Sequence, residues 1–355
     1  MTPPPGRERN LSLAKALVAP MKLPILAWMR PRARTFMTPA VALAAAAGLV
    51  LPVAMASDGD AGSARTAAAT NTMRCFGGPS RDTVNPCRNP ALATRVFPSP
   101  DDAVLYPNAP CEPIYDTQPF QCEFGSSAAK AKGTIALVGD SHATHWRGAL
   151  IGVSKAYGWR GISMTRSGCT FSKAEPVLPG KLKQECVEWR EQVYAWFVAH
   201  PEVRTVFLSQ HPGKVVVPEG STEWRTKVQG FRDAWRALPD SVRHIVIIRD
   251  TPYVTSKTPD CVTAAMRKKL DAGMKCALPR KRALKRDHAA EAAAVYDVPG
   301  VKVADMTSFM CSTESCFPVV GGALTHKDVG HITLLFSDSL GPYLLRKVRA
   351  FGIKI

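Results

Sequence analysis

A serine, an aspartate and a histidine in this chain have surroundings that suit nucleophilic chemistry. Ser141 lies in the run Thr-Ile-Ala-Leu-Val-Gly-Asp-Ser-His, where a buried-strand pattern at 134–138 feeds into Gly139 and Asp140 and a helical pattern begins at His142. Gly139 permits a tight strand-to-helix turn. A serine opening a helix meets free backbone N–H groups and the positive dipole end, which stabilise a developing oxyanion. Asp140 has a second use there as an N-cap. A hydroxyl is a poor nucleophile until a base removes its proton. Near the other end, Asp328 precedes His331 by three residues in Thr-His-Lys-Asp-Val-Gly-His. That spacing lets a carboxylate fix one imidazole tautomer and stabilise the imidazolium. Alone, the pair reads more readily as a helix cap beside a surface histidine; with the Gly-Asp-Ser turn it reads as the rest of a triad.

Those residues need a scaffold that brings strand ends together. After Lys130, short apolar runs alternate with helical stretches. Strands are expected at 134–138, 161–164, 203–209, 242–249 and 301–304. Helices are expected at 142–158, 183–200, 224–238, 278–296 and 331–351. Strands separated by helices give a three-layer α/β/α domain with a mainly parallel central sheet and right-handed crossovers. In such sheets, reactive groups gather at the carboxyl ends of the strands, where Ser141 would stand. Most tryptophans fall at apolar helical positions and are expected in the core.

The first residues describe export. Residues 1–36 carry seven basic side chains against one acid, and no charge follows from Thr35 to Ser57. The apolar run ends in Ala54-Met55-Ala56, the small-x-small signature of a secretory signal peptide. An N-terminal membrane anchor is the alternative, and either one sends the body to the periplasm or the exterior. The organisation expected is a leader at 1–56, a small polar linker at 57–72, an irregular Cys-rich extension at 73–128 and the main domain at 129–355. All ten cysteines follow the leader, an even number suited to an oxidising compartment. Nearest-neighbour pairing would join Cys75 to Cys87, Cys111 to Cys122, Cys169 to Cys186, Cys261 to Cys276 and Cys311 to Cys316. Cysteine spacing alone leaves the connectivity open, and no C-x-x-C pair supports a zinc site.

Gly-Asp-Ser-His after a first strand, with D-x-x-H before the last helix, resembles the SGNH (GDSL-like) hydrolase superfamily, whose fold is flavodoxin-like. More narrowly it is similar to the periplasmic SGNH domain of bacterial polysaccharide O-acyltransferases of the acyltransferase-3-fused type. The loop Arg166–Phe171, the strand at 203–209 and the block at 304–332 match that subgroup. The resemblance covers about residues 130–350. It implies Ser141 as nucleophile, His331 as base and Asp328 as orienting acid. It also implies oxyanion donors at the Ser141 backbone and Gly168. The wider superfamily supplies an Asn side chain as a further donor. Here the strand ends Ser209-Gln210-His211, so Gln210 either donates through its amide or merely fills space. The fused relatives carry a membrane-helix bundle; here a separate membrane acyltransferase would supply acyl groups if the reaction is transfer.

The formal charge of +17 favours anionic partners, and 267–286 holds nine Lys or Arg against Asp271. A bound acidic glycan and a solvated basic face are both open readings. Export and the lack of an aromatic-basic pattern exclude nucleic acid as partner. The serine chemistry calls for no cofactor or metal, although a cluster of His142, His211 and His331 is an alternative use of those histidines as ligands. The expected substrate is an envelope glycan or acylated sugar, with acyl transfer and hydrolysis both open. A small-ester or lipid esterase and a non-catalytic glycan-binding module are the competing functions.

Overall fold

A computed structural model of the chain describes residues 74–114, 121–220, 222–295 and 300–353. The expected leader and linker lie outside the described residues. At the centre is a seven-stranded sheet made of β1 (Glu112–Ile114), β2 (Gln121–Gly125), β3 (Gly133–Gly139), β4 (Trp159–Thr165), β5 (Thr205–Ser209), β6 (His244–Ile248) and β7 (Val301–Ala304). Their spatial order is β1-β2-β4-β3-β5-β6-β7. The five strands from β4 to β7 in that order are parallel, while β2 runs antiparallel to β4 and to β1.

Helices cover both faces, as a parallel sheet requires. Along β3, Ile135 and Leu137 point to one core, and Ala136 and Val138 to the other. β5 repeats the alternation, with Phe207 on the first side and Val206 and Leu208 on the second. The first core is closed by α2 (Arg147–Tyr157) and α7 (Leu334–Ala350), through Leu150, Val153, Phe336 and Leu340. The second is closed by α3 (Lys181–Ala199), α4 (Glu223–Arg236) and α6 (His288–Ala294), through Trp189, Phe197, Phe231 and Trp235. Each fully buried Leu or Phe stabilises the fold by about 1.5–3 kcal/mol. The expected three-layer α/β/α architecture is the one observed.

Three expectations are corrected. The Cys-rich stretch at 73–128 is not irregular throughout, because it ends in β2, which pairs with β4 and extends the sheet edge. The helix expected at 278–296 is broken into short pieces, Arg280–Ala283 and α6. Asp287 lies between them, and its side chain accepts from the N–H groups of Ala289 and Ala290, so a cap replaces a continuous helix. The helix expected at 142–158 is likewise split into α1 (Ser141–Thr144) and α2. A further helix, α5 (Thr258–Arg267), leads into the basic stretch, with Cys261 on it bonded to Cys276.

All five disulfides follow the nearest-neighbour pairing: 75–87, 111–122, 169–186, 261–276 and 311–316. They close short loops around the sheet rather than joining distant layers. Among the described residues no cysteine is free.

Candidate active site

The carboxyl ends of β3, β4 and β5 meet at one turn. Gly139 closes β3 at φ +149, and a Cβ there would lie 2.1 Å from the Ser209 carbonyl oxygen on β5. Only glycine lets the two strand ends approach this closely. Asp140 follows, fully buried, with one carboxylate oxygen accepting from the His142 N–H at 2.9 Å. Its other oxygen accepts from the His211 N–H at 2.9 Å, tying the end of β3 to the end of β5. Asp140 is therefore both the N-cap and a cross-strand brace. Burial pushes its carboxyl upward, and the nearby His142 and the two N–H donors oppose that shift. Ser141 opens α1 and is partly exposed. Because α1 is only four residues long, its dipole is small, and the local N–H groups matter more than a macrodipole.

His331 stands on a loop, two residues before the Thr333 cap of α7, rather than in the closing helix. The Thr333 hydroxyl accepts from the Phe336 N–H and starts that helix, which leaves 328–331 free to turn. Asp328 accepts from the Gly330 N–H at 2.9 Å, from the His331 N–H at 2.8 Å and from His331 Nδ1 at 2.8 Å. Burial alone would raise the Asp328 carboxyl, but these three donors outweigh it and hold it well below the usual carboxylate range. An ionised carboxylate accepts only, so the proton between them is on His331 Nδ1. The opposite nitrogen, Nε2, is then the basic one, and it has no hydrogen-bond partner among the described residues. The His331 ring lies 4.8 Å from the His142 ring and 6.0 Å from the His145 ring, centroid to centroid, so the loop reaches the residues that flank Ser141.

The proposed oxyanion donors divide. Gly168 has φ +76 in the turn after β4, where the Arg166 N–H donates to the Gly139 carbonyl. The space a Gly168 side chain would fill is open apart from the Lys214 ammonium 3.6 Å away. Gln210 is buried, and its Oε1 accepts from the Phe171 N–H at 3.0 Å. That bond fixes the amide so that Nε2 is the spare donor, and it has no partner among the described residues. Gln210 thus holds the 166–171 loop and keeps a donor in reserve.

Sequence reasoning missed a second histidine–carboxylate pair. His142 Nδ1 lies 2.6 Å from Asp250 Oδ1, both groups being buried just after β3 and β6. The Tyr253 hydroxyl donates to the other oxygen of Asp250 at 3.0 Å, and the Asp250 N–H donates to Asp287 at 2.8 Å. Burial pushes Asp250 up to about 8 and His142 down to about 4. Burial disfavours charge on both, so the pair shares its proton as a neutral unit. The signal available in the sequence was an aspartate directly after the apolar strand Val242–Arg249. His142 and His211 have ring centroids 4.6 Å apart, so the histidines considered as alternative ligands do converge.

The SGNH domain family described as fused to AT3 domains matches residues 110–346, about two thirds of the chain. The chain belongs to this family. No curated protein matches it. Among solved structures it is similar to the periplasmic domain of a lipopolysaccharide acetyltransferase from Salmonella ser. Paratyphi A, at 17% identity and a TM-score of 0.46, over 63% of this chain and 85% of that one. It is also similar to the carboxylesterase CesB (YbfK) from Bacillus subtilis, at 15% identity and a TM-score of 0.29, over 71% of this chain and 95% of that one.

Proposed function

We propose that the protein is an exported serine-dependent acyl-transfer enzyme that adds ester-linked acyl groups, acetyl foremost, to a cell-envelope polysaccharide or removes them. The observation that carries this reading is the His331–Asp328 pair. It has Nδ1 engaged, Nε2 free, and its ring beside the residues next to Ser141. Ser141 Oγ attacks the ester carbonyl while His331 Nε2 takes its proton, and Asp328 stabilises the imidazolium. The oxyanion is met by the N–H groups of Ser141 and Gly168 and by Gln210 Nε2, donors worth about 3–4 kcal/mol each where comparable ones have been removed. The alcohol leaves with the proton from His331, giving acyl-Ser141. Water or a sugar hydroxyl then resolves that ester with His331 again as base. Membership of a family fused to AT3 domains supports acyl chemistry and a separate membrane acyltransferase as donor. Five disulfides suit an oxidising compartment, and among the described residues no helix is long and apolar enough to cross a membrane.

The test is turnover of p-nitrophenyl acetate by residues 57–355, with and without sugar acceptors, beside His331→Ala. Turnover that drops by about 10³-fold or more in the variant supports the reading. Equal rates in both would overturn it. Acetylated acceptor assigns transfer, and its absence assigns hydrolysis.

A further inference from the structure

His145 is a buried histidine whose position the serine chemistry does not explain. It is 2% exposed, and neither ring nitrogen has a hydrogen-bond partner among the described residues. Leaving a buried polar group unpaired costs about 1–3 kcal/mol, so such a group calls for a water or an ion. The choice between them follows from the neighbours. One nitrogen of His145, one of His142 and a carboxylate oxygen of Asp250 lie within 4.8 Å of one another, and all three residues are buried. Two imidazoles and one carboxylate are a donor set that suits Zn²⁺, which binds nitrogen and oxygen at about 2.0–2.2 Å.

We propose that His142, His145 and Asp250 form a binding site for one divalent transition ion, Zn²⁺ foremost, that pins α1 to the carboxyl end of β6 one residue from Ser141. Ligands on a tetrahedral zinc stand about 3.3 Å apart, as follows from bond lengths near 2 Å. His142 Nδ1 and Asp250 Oδ1 are 2.6 Å apart because they share a proton, so the ion replaces that proton and the pair opens by about 0.7 Å. One proton leaves to solvent for each ion bound. The local charge is mixed. Lys214 and Lys327 oppose a cation here, whereas Asp140 and Asp328 favour it beside the ligand Asp250. Tyr253 holds the second oxygen of Asp250, and Asp287 holds its N–H, so the carboxylate is oriented from behind as metal ligands are. Three protein ligands leave a position for water.

The experiment is independent of turnover, so its failure leaves the serine reading untouched. The full chain is stripped with chelator, dialysed, and titrated with Zn²⁺ by calorimetry and with Co²⁺ by visible absorption. One equivalent is expected to bind, with the d–d bands of a four- or five-coordinate cobalt ion. His145→Ala and Asp250→Asn each lower the affinity by about 100-fold or more, while His211→Ala retains it. Circular dichroism shows whether each variant is folded; should His145→Ala unfold, His145→Leu and the wild-type stoichiometry decide. Folded wild type that binds no ion stoichiometrically overturns the site and assigns water to His145. Binding unchanged in both ligand variants overturns it equally.

Discussion

Replacing Gly139 by alanine tests how the fold builds the turn that presents Ser141. The new methyl carbon would lie 2.1 Å from the Ser209 carbonyl oxygen and 2.9 Å from the Ala143 Cβ. A backbone carbonyl cannot swing away as a flexible side chain can, so β3 and β5 must part by about 1 Å to reach ordinary contact. Gly139 and Ser209 are directly paired in the sheet, and the Asp140–His211 bond lies just beyond them. An unfavourable φ costs about 1–3 kcal/mol, and overpacking about 1–3 kcal/mol more. The sum, about 2–6 kcal/mol, is large against a typical stability of about 5–15 kcal/mol. A shift of about 1 Å at Ser141 would also lower turnover by about 100-fold. Urea unfolding followed by circular dichroism reads the first effect, and kcat/KM for p-nitrophenyl acetate reads the second. Gly220→Ala is the control. Its φ is +58 with nothing within 4 Å, so backbone strain of about 1–2 kcal/mol is expected there and no loss of turnover. A Gly139→Ala protein within about 1 kcal/mol of wild type and fully active would show that the close approach of β3 and β5 does not set this turn.

Three further outcomes are expected. Asp328→Asn removes the acceptor that fixes the His331 tautomer, and kcat should fall by about 10³–10⁴-fold with KM little changed. Replacing Cys169 and Cys186 together by serine opens a loop with a sequence separation of 17. It should lower stability by about 3 kcal/mol in urea unfolding, and loosen the turn that carries Gly168. Asp82 is held down to about 2, chiefly by its hydrogen bond from Arg346, against the opposing effect of burial. Its contribution is complete above about pH 4 and is lost as pH falls through about 2, so Asp82→Asn should melt lower than wild type at neutral pH, with the gap closing in acid.

The parallel centre was legible because β3, β5 and β6 are continuous apolar runs, the mark of strands buried on both faces. The run Gln121–Gly125 carries no such mark. It is short, lies among cysteines and prolines, and becomes a strand through its pairing with β4 on one side and β1 on the other. Helical periodicity misled at 278–296, where alanines and basic residues favour helix but the Asp287 side chain is used as a cap and as an acceptor for the Asp250 N–H. At the candidate site, the placing of Ser141 at a helix start and the Asp328–His331 hydrogen bond were legible from short spacings. Asp250 was not, because its tie to His142 spans 108 positions and depends on β3 and β6 ending at the same level. The closing helix expected from 331 begins instead at Leu334, because the Thr333 side chain caps it there and leaves His331 on the loop.

Whether Ser141 carries the acyl group is read by intact-protein mass spectrometry after reaction with a fluorophosphonate. One adduct is expected on the wild-type protein, mapped to Ser141 by peptide sequencing, and none on folded Ser141→Ala. An adduct on another residue, or labelling that persists in Ser141→Ala, would contradict it.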